Sequence, residues 1–292
     1  MFERVLYPID FTDVSITCAR ALTELKRYGA KELTLFHAIE YDSAKLIEGG
    51  IADVDKFLAN LKEKANKKLE EIVKELSREF SSVSAKVTPT LDPTVEIAKM
   101  ESEFDLLVIP SRSRSPLFLG KTAEKVVRSS KIPCLVVKSR PDAGKSYYEL
   151  VFRNMFERPV FIVEKTIDDL AKVLESLRHF GLKKTKIVRI AELEEALERK
   201  VSKEEIIHPL VPIPRIAEIL SEYWENERVE LEKIRRYLET KGISSEVLIS
   251  FGSLEKYLEK ISKVEGLSLV VCGKQSFDKA LKVADAVFVT NF

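Results

Sequence analysis

The sequence predicts two tandem, doubly wound α/β domains, the second divergent from the first. Three observations carry that expectation. Short apolar runs alternate with amphipathic helical stretches through the first half. One stretch of the second half repeats a stretch of the first without a gap. Between the halves lies a connector that breaks the pattern.

The elements of the first half follow in order. Arg4–Ile9 is a short apolar run stopped by Asp10, as a buried strand would be, and Thr12 or Asp13 can cap the helix that follows. That helix places Ile16, Ala19, Leu22, Leu25 and Tyr28 on one face and ends at Gly29. Leu33–Ala38 is a second strand. From Asp53 to Phe80, apolar residues spaced by three and four, among them Phe57, Leu61, Ala65, Leu69, Ile72 and Leu76, predict a long amphipathic helix. Ser84–Thr90 alternates as a third strand. Asp92-Pro93 opens a helix with the acid at the cap and proline in the first turn. Asp105–Pro110, Lys121–Ser129 and Cys134–Lys138 complete a strand, helix, strand order. Strands separated by helices imply a parallel sheet covered on both faces, with ligands expected in the crevice at the carboxyl ends of the strands. That places Asp10, Ala38 and the loop from Pro110 to Gly120 around one cleft.

The connector holds Pro141, Gly144 and Pro159 with the aromatics Tyr147, Tyr148, Phe152 and Phe156, too many for a free linker, so it is expected to pack on a domain. The domain boundaries read as 1–139, a linker at 140–158, and 159–292. Beyond the linker, Ala171–Glu192 (AKVLESLRHFGLKKTKIVRIAE) aligns with Ala19–Glu40 (ARALTELKRYGAKELTLFHAIE) at a constant offset, matching Ala, Leu, Leu, Gly, Lys and Glu. The shared helix–Gly–strand order points to an internal duplication. Glu222–Lys241 then parallels the long helix, and Glu246–Ser250, Leu267–Gly273 and Ala286–Thr290 parallel the later strands. Glu192–Leu220, with Pro209, Pro212 and Pro214, reads as an insertion, and the apolar and aromatic stretch Ile206–Trp224 as a face that packs on its own domain, with a partner surface as the alternative.

A chain of 292 residues accommodates two domains, and 45% hydrophobic content supplies a core for each. A net charge of +1 gives no electrostatic case for nucleic acid as a partner. The 33% charged content fits either ion-pair networks or long solvated helices. Cys18, Cys134 and Cys272 are far apart and form no CxxC pair, which suits a reducing compartment rather than a disulfide framework or zinc site. The opening residues have no basic region before an apolar stretch, and no apolar run approaches the ~20 residues of a membrane helix. The expectation is a soluble, cytoplasmic protein with no membrane partner.

At this point the residues resemble a known family. VLYPIDFTDVS, HAIE, LDPTVEIAKMESEFDLLVIPSRSRS and GKTAEKVVRSSKIPCLVVK are similar, from end to end of residues 1–139, to the universal stress protein domain. The second half resembles it mainly as a repeat of the first. The resemblance implies a five-stranded parallel sheet in each domain and pairing through the final strand. The two halves would then form an intramolecular pseudo-dimer, and the chain a homodimer. It also implies a stress-related regulatory or sensing protein, not an enzyme and without a catalytic set, that binds AMP or ATP (the latter with Mg²⁺) in the first domain. The family loop after the fourth strand approaches phosphate with glycine amides at a helix N-terminus. Here its glycine positions are Pro110 and Ser113, the segment Arg114–Leu119 is shorter than in the family, and Gly120 is followed by Lys121 and Thr122. On this resemblance the candidate nucleotide-binding residues are Ile9, Asp10, Ala38, Pro110, Arg112, Ser113, Arg114, Gly120, Lys121 and Thr122. Asp10 would meet ribose or base, Ala38 would offer backbone to adenine, and the basic residues would meet phosphate. Glu164 is the second-half counterpart of Asp10, and the loop at Gly273-Lys274-Gln275-Ser276 is not expected to hold a nucleotide by the family mechanism.

Other patterns carry less. Ser115–Thr122 (SPLFLGKT) ends like a P-loop but lacks its leading glycine and follows the wrong strand. Asp10, Asp13, Asp92 and Lys138 echo a phosphoacceptor receiver, yet Asp92 before Pro93 is an ordinary cap. His37, His179 and His208 show no metal-ligand spacing. The alternatives left open are an interaction scaffold without ligand, which dimerises through the duplicated fold, and an ATP-using enzyme of a related fold.

Overall fold

The computed structural model describes residues 2–111, 120–140, 142–164, 182–191 and 213–290. The chain divides into two compact units, Met1–Met155 with Asp285–Asn291, and Phe156–Ala284.

In the first unit, strands β1 (Arg4–Pro8), β2 (Glu32–Glu40), β3 (Ser82–Thr90), β4 (Leu106–Pro110) and β5 (Cys134–Val137) pair in the parallel order β3-β2-β1-β4-β5. Val5, Leu6 and Tyr7 at the centre are fully buried, as is every residue of β4 and β5, which explains why these strands read as unbroken apolar runs. Pro89 lies in β3, which pairs only with β2 in this order, and an edge strand tolerates its missing N–H. The chain's last strand, Ala286–Val289, also belongs to this unit and pairs antiparallel with β5, from Ala286 opposite Val137 to Val289 opposite Cys134.

The helices follow the predicted signals with some differences. Thr12 caps α1 (Asp13–Ala21) by accepting the Ser15 N–H, and the helix tightens into a 3₁₀ segment at Leu22–Tyr28. It stops at Gly29, whose φ of 92° is a left-handed conformation natural to glycine. A short helix that the sequence did not announce, α2 (Ser43–Glu48), is capped by Asp42. Asp53 caps α3 (Val54–Leu76), which buries Leu58, Ala65, Leu69, Ile72 and Leu76. Asp92 caps α4 (Pro93–Met100), and α5 spans Lys121–Ser129. The connector contains a helix, α6 (Lys145–Asn154), whose Tyr148 and Phe152 are fully buried in the first unit.

The second unit holds β6 (Pro159–Ile162), β7 (Lys184–Ala191), β8 (Ser244–Phe251) and β9 (Leu269–Cys272), parallel in the order β9-β6-β7-β8. This reproduces the strand order of the first unit up to β4. The strand in the position of β5 is β10 (Ala286–Val289), whose residues are counted with the first unit. Its helices are α7 (Ile213–Thr240), α8 (Leu254–Val264) and α9 (Phe277–Val283). The expected insertion at Glu192–Leu220 is partly helix: α7 begins at Ile213, with Pro214 in its first turn, where no intrahelical N–H bond is lost. The remainder of that insertion, and the helical part of the repeat at 171–181, lie outside the described residues. Among the described residues, no helix is long and apolar enough to cross a membrane.

α6 is tied to the first unit by polar contacts as well as by burial. The Tyr28 hydroxyl donates to the carbonyls of Phe152 and Arg153, and the Arg153 guanidinium donates to Glu24 at 2.7 Å. The bond from Arg153 holds the Glu24 carboxyl below its ordinary value of 4.5, with Arg27 adding to the effect. A depressed folded value means that the stabilisation is present above the ordinary value and is lost as pH falls through the folded one. Thermal unfolding followed from pH 6 to pH 3 should therefore show a larger loss of stability for the native chain than for Glu24→Gln, the two converging at the acid end.

Candidate functional site

The strand order of the first unit reverses at β1. β2 lies on one side and β4 on the other, and the crossovers leave on opposite faces, so a crevice opens beyond the strand ends. At that point the Ile9 N–H donates to the Phe36 carbonyl at 2.8 Å, a last rung between β1 and β2. His37 Nδ1 lies 2.8 Å from the Ile9 carbonyl. A carbonyl only accepts, so Nδ1 carries the proton of this bond.

The chain then turns sharply. Phe11 has φ 61°, a left-handed conformation unusual for a residue with a side chain. Its ring packs on His37 at 4.3 Å between centroids, with the Lys68 ammonium 5.3 Å from the Phe11 ring centre. Asp10 Oδ1 accepts from the Thr12 N–H (2.9 Å), the Thr12 hydroxyl (2.7 Å) and the Ser15 hydroxyl (2.5 Å). One carboxylate oxygen thus organises the whole β1–α1 turn. Below it, Tyr7 is fully buried and donates to the Ser15 carbonyl at 2.8 Å; burial pushes its phenol well above the ordinary value. The neighbouring Cys18 thiol is pushed up by burial to about 12, so it stays protonated and unreactive.

A cavity of about 380 Å³ occupies the crevice. Ile9 and Asp10 line it from just beyond β1, Phe36, His37 and Ala38 from β2, Ile109 and Pro110 from β4, Ile97 from α4, and Gly120, Lys121 and Thr122 from the start of α5. Seven of the ten residues singled out in the sequence therefore meet around one cavity; Arg112, Ser113 and Arg114 lie outside the described residues. Gly120 is the N-cap of α5, so the amides of that helix's first turn face the end of the cavity bounded by Lys121 and Thr122. The aliphatic wall from Ile97, Ile109 and Val126 was not in the sequence-derived set, because helix and strand side chains that face a cleft look in sequence like any core position. Asp92, one of the receiver-like acids, accepts the Thr94 N–H at 2.9 Å as a helix cap, and that bond depresses its carboxyl.

Chemically, the lining brings together apolar side chains beside the ends of β1 and β2, the Asp10 carboxylate, and Lys121 and Thr122 at the N-terminus of α5. Such a mixture orients a ligand that has a flat apolar part and an anionic part.

The model of the universal stress protein family matches residues 1–138. A curated universal stress protein of Methanocaldococcus jannaschii is 26% identical over 157 residues, which cover 48% of this chain and 97% of that protein. A crystal structure of a universal stress protein from Archaeoglobus fulgidus superposes with a TM-score of 0.72 at 17% identity, covering 100% of this chain and 99% of that one, a likeness of fold. The likeness to the universal stress protein family thus rests on residues 1–138, somewhat less than half of the chain.

Proposed function

We propose that the protein is a stress-related regulatory or sensing protein whose first unit binds an adenine mononucleotide, AMP or ATP, without a need for turnover. The observation that carries this reading is the cavity of about 380 Å³ at the reversal of strand order, lined by apolar side chains together with Asp10 and with Gly120, Lys121 and Thr122 at the start of α5. Its volume falls in the usual range for small-molecule sites, about 300–1,000 Å³. Adenine suits the slot beside Ile9 and Ala38, where the backbone of Ala38 would read its ring nitrogens. Phosphate suits Gly120, Lys121 and Thr122, and Mg²⁺ would accompany ATP. The Asp10 carboxylate, which lines the cavity, would meet a ribose hydroxyl through Oδ2, its Oδ1 serving the β1–α1 turn.

A second reading, an interaction scaffold without ligand, is favoured by Pro110. It stands where the family loop has a glycine and offers no N–H to a phosphate.

Calorimetric titration of the nucleotide-stripped chain with AMP, ADP and ATP tests the first reading. One site per chain is expected. Ala38→Trp, which fills the slot, should weaken binding at least tenfold with unchanged circular dichroism, and equal affinity in that variant would sink the proposal. Loss of the Lys121 charge has a different signature: Lys121→Ala should weaken ATP about tenfold and AMP less, since a single charge-assisted phosphate contact contributes about 1.4 kcal/mol on this scale. Equal losses for the two nucleotides would place Lys121 away from the outer phosphates.

A further inference from the structure

The second unit repeats the first closely enough for its cleft residues to be matched by hydrogen bonds. The Val163 N–H donates to the Val188 carbonyl at 2.9 Å, just as the Ile9 N–H donates to Phe36. Val163 therefore answers to Ile9, Glu164 to Asp10, and Arg189 to His37. Opposite Val5 and Pro159 stand Leu106 and Leu269, so Gly273 answers to Pro110.

At each matched position the side chain differs in reach. His37 bonds to the Ile9 carbonyl and goes no further into the crevice than its ring allows. Arg189 is 3% exposed and spans more space: Nη1 donates to the carbonyls of Val163 (2.9 Å) and Glu164 (2.8 Å), Nη2 lies 3.4 Å from the Tyr223 hydroxyl, and Nε lies 3.6 Å from the Glu227 carboxylate. Asp10 folds back on its own turn, whereas Glu164, one methylene longer, crosses to the turn between β9 and α9. There its Oε1 accepts the Ser276 N–H at 2.8 Å and its Oε2 faces the Gln275 N–H at 3.4 Å. The carboxylate fits only because residue 273 is glycine; a Cβ there would overlap Oε2.

We infer that Arg189 and Glu164 fill the second unit's cleft from within, and that the residue at the matched position, His37 or Arg189, decides whether a cleft of this chain admits a ligand. The guanidinium takes the space beside the strand ends, and the carboxylate takes the backbone amides that would otherwise face an anion. One chain then binds one nucleotide; this corollary rests on the reading of the first unit given above.

Two measurements test the inference. The first needs no nucleotide: amide hydrogen exchange at Gln275 and Ser276. Protection at Ser276 is expected in the native chain, with exchange at least tenfold faster in both Glu164→Ala and Gly273→Ala, the second because its methyl group expels the carboxylate. Exchange that is unprotected in the native chain, or unchanged by both substitutions, overturns the inference. The second measurement is titration with AMP and ATP of the native chain and of His37→Arg. One nucleotide per chain, weakened at least tenfold by His37→Arg in a protein of native circular dichroism, supports it. Two nucleotides per chain, or native affinity in His37→Arg, overturns it while upholding the first-unit site. Absence of binding to the native chain counts against the first-unit reading alone, and the exchange data then decide the inference.

Discussion

The residue on which both units turn is the last one to pair in the central strand, Ile9 in the first unit and Val163 in the second. Its N–H closes the ladder to the second strand, and its carbonyl is taken by a side chain from that same strand, His37 or Arg189. A buried carbonyl at a strand end carries a cost of about 1–3 kcal/mol if left unpaired. Supplying its donor from the neighbouring strand lets the chain leave the sheet at once. The sharp turn at Phe11, the capping of α1 and the crevice beyond the strand ends all follow from that early exit.

From this shared scaffold the two units diverge through side-chain length rather than topology. Histidine against arginine, aspartate against glutamate, and proline against glycine are the three exchanges. In the first unit the short members leave a cavity. In the second Arg189 bonds the carbonyls of Val163 and Glu164, the Glu164 carboxylate bonds the Ser276 amide, and glycine yields the room for the carboxylate. Burying Arg189 is tolerable because two carbonyls, a hydroxyl and the Glu227 carboxylate surround it, the conditions under which a buried cation is not ruinous. Many other charges stay at the surface, in exposed helix pairs such as Glu63 with Lys67 and Glu124 with Arg128, which contribute little to stability.

Much of this was legible in the sequence where a residue's role is local. Asp53 and Asp92 announce their helices because a cap is read within three residues, and β4 and β5 announce themselves because a strand buried on both faces is apolar throughout. The site was legible to the extent that it sits on strand ends and a helix start: Asp10, Ala38 and Gly120–Thr122 punctuate elements. What depended on distant partners was hidden. The aromatics of α6 announced packing on a domain but not the partners Tyr28 and Glu24 that tie the helix down, and the pairing of the final strand with β5 was available only through the family resemblance. The His37–Ile9 bond was equally silent, although the repeat did place Arg189 over His37, and that exchange of an imidazole for a guanidinium was the available clue to the filled second cleft.

The central claim, a nucleotide cleft in the first unit, is tested most directly by methyl NMR of the chain labelled at alanine and isoleucine, titrated with AMP. The account requires shifts at Ala38, Ile97, Ile109 and Ala123, which line the cavity, with Ile187, Ile249 and Ala284 of the second unit unmoved. Unchanged cavity methyls at saturating AMP, or shifts confined to the second unit, would contradict it.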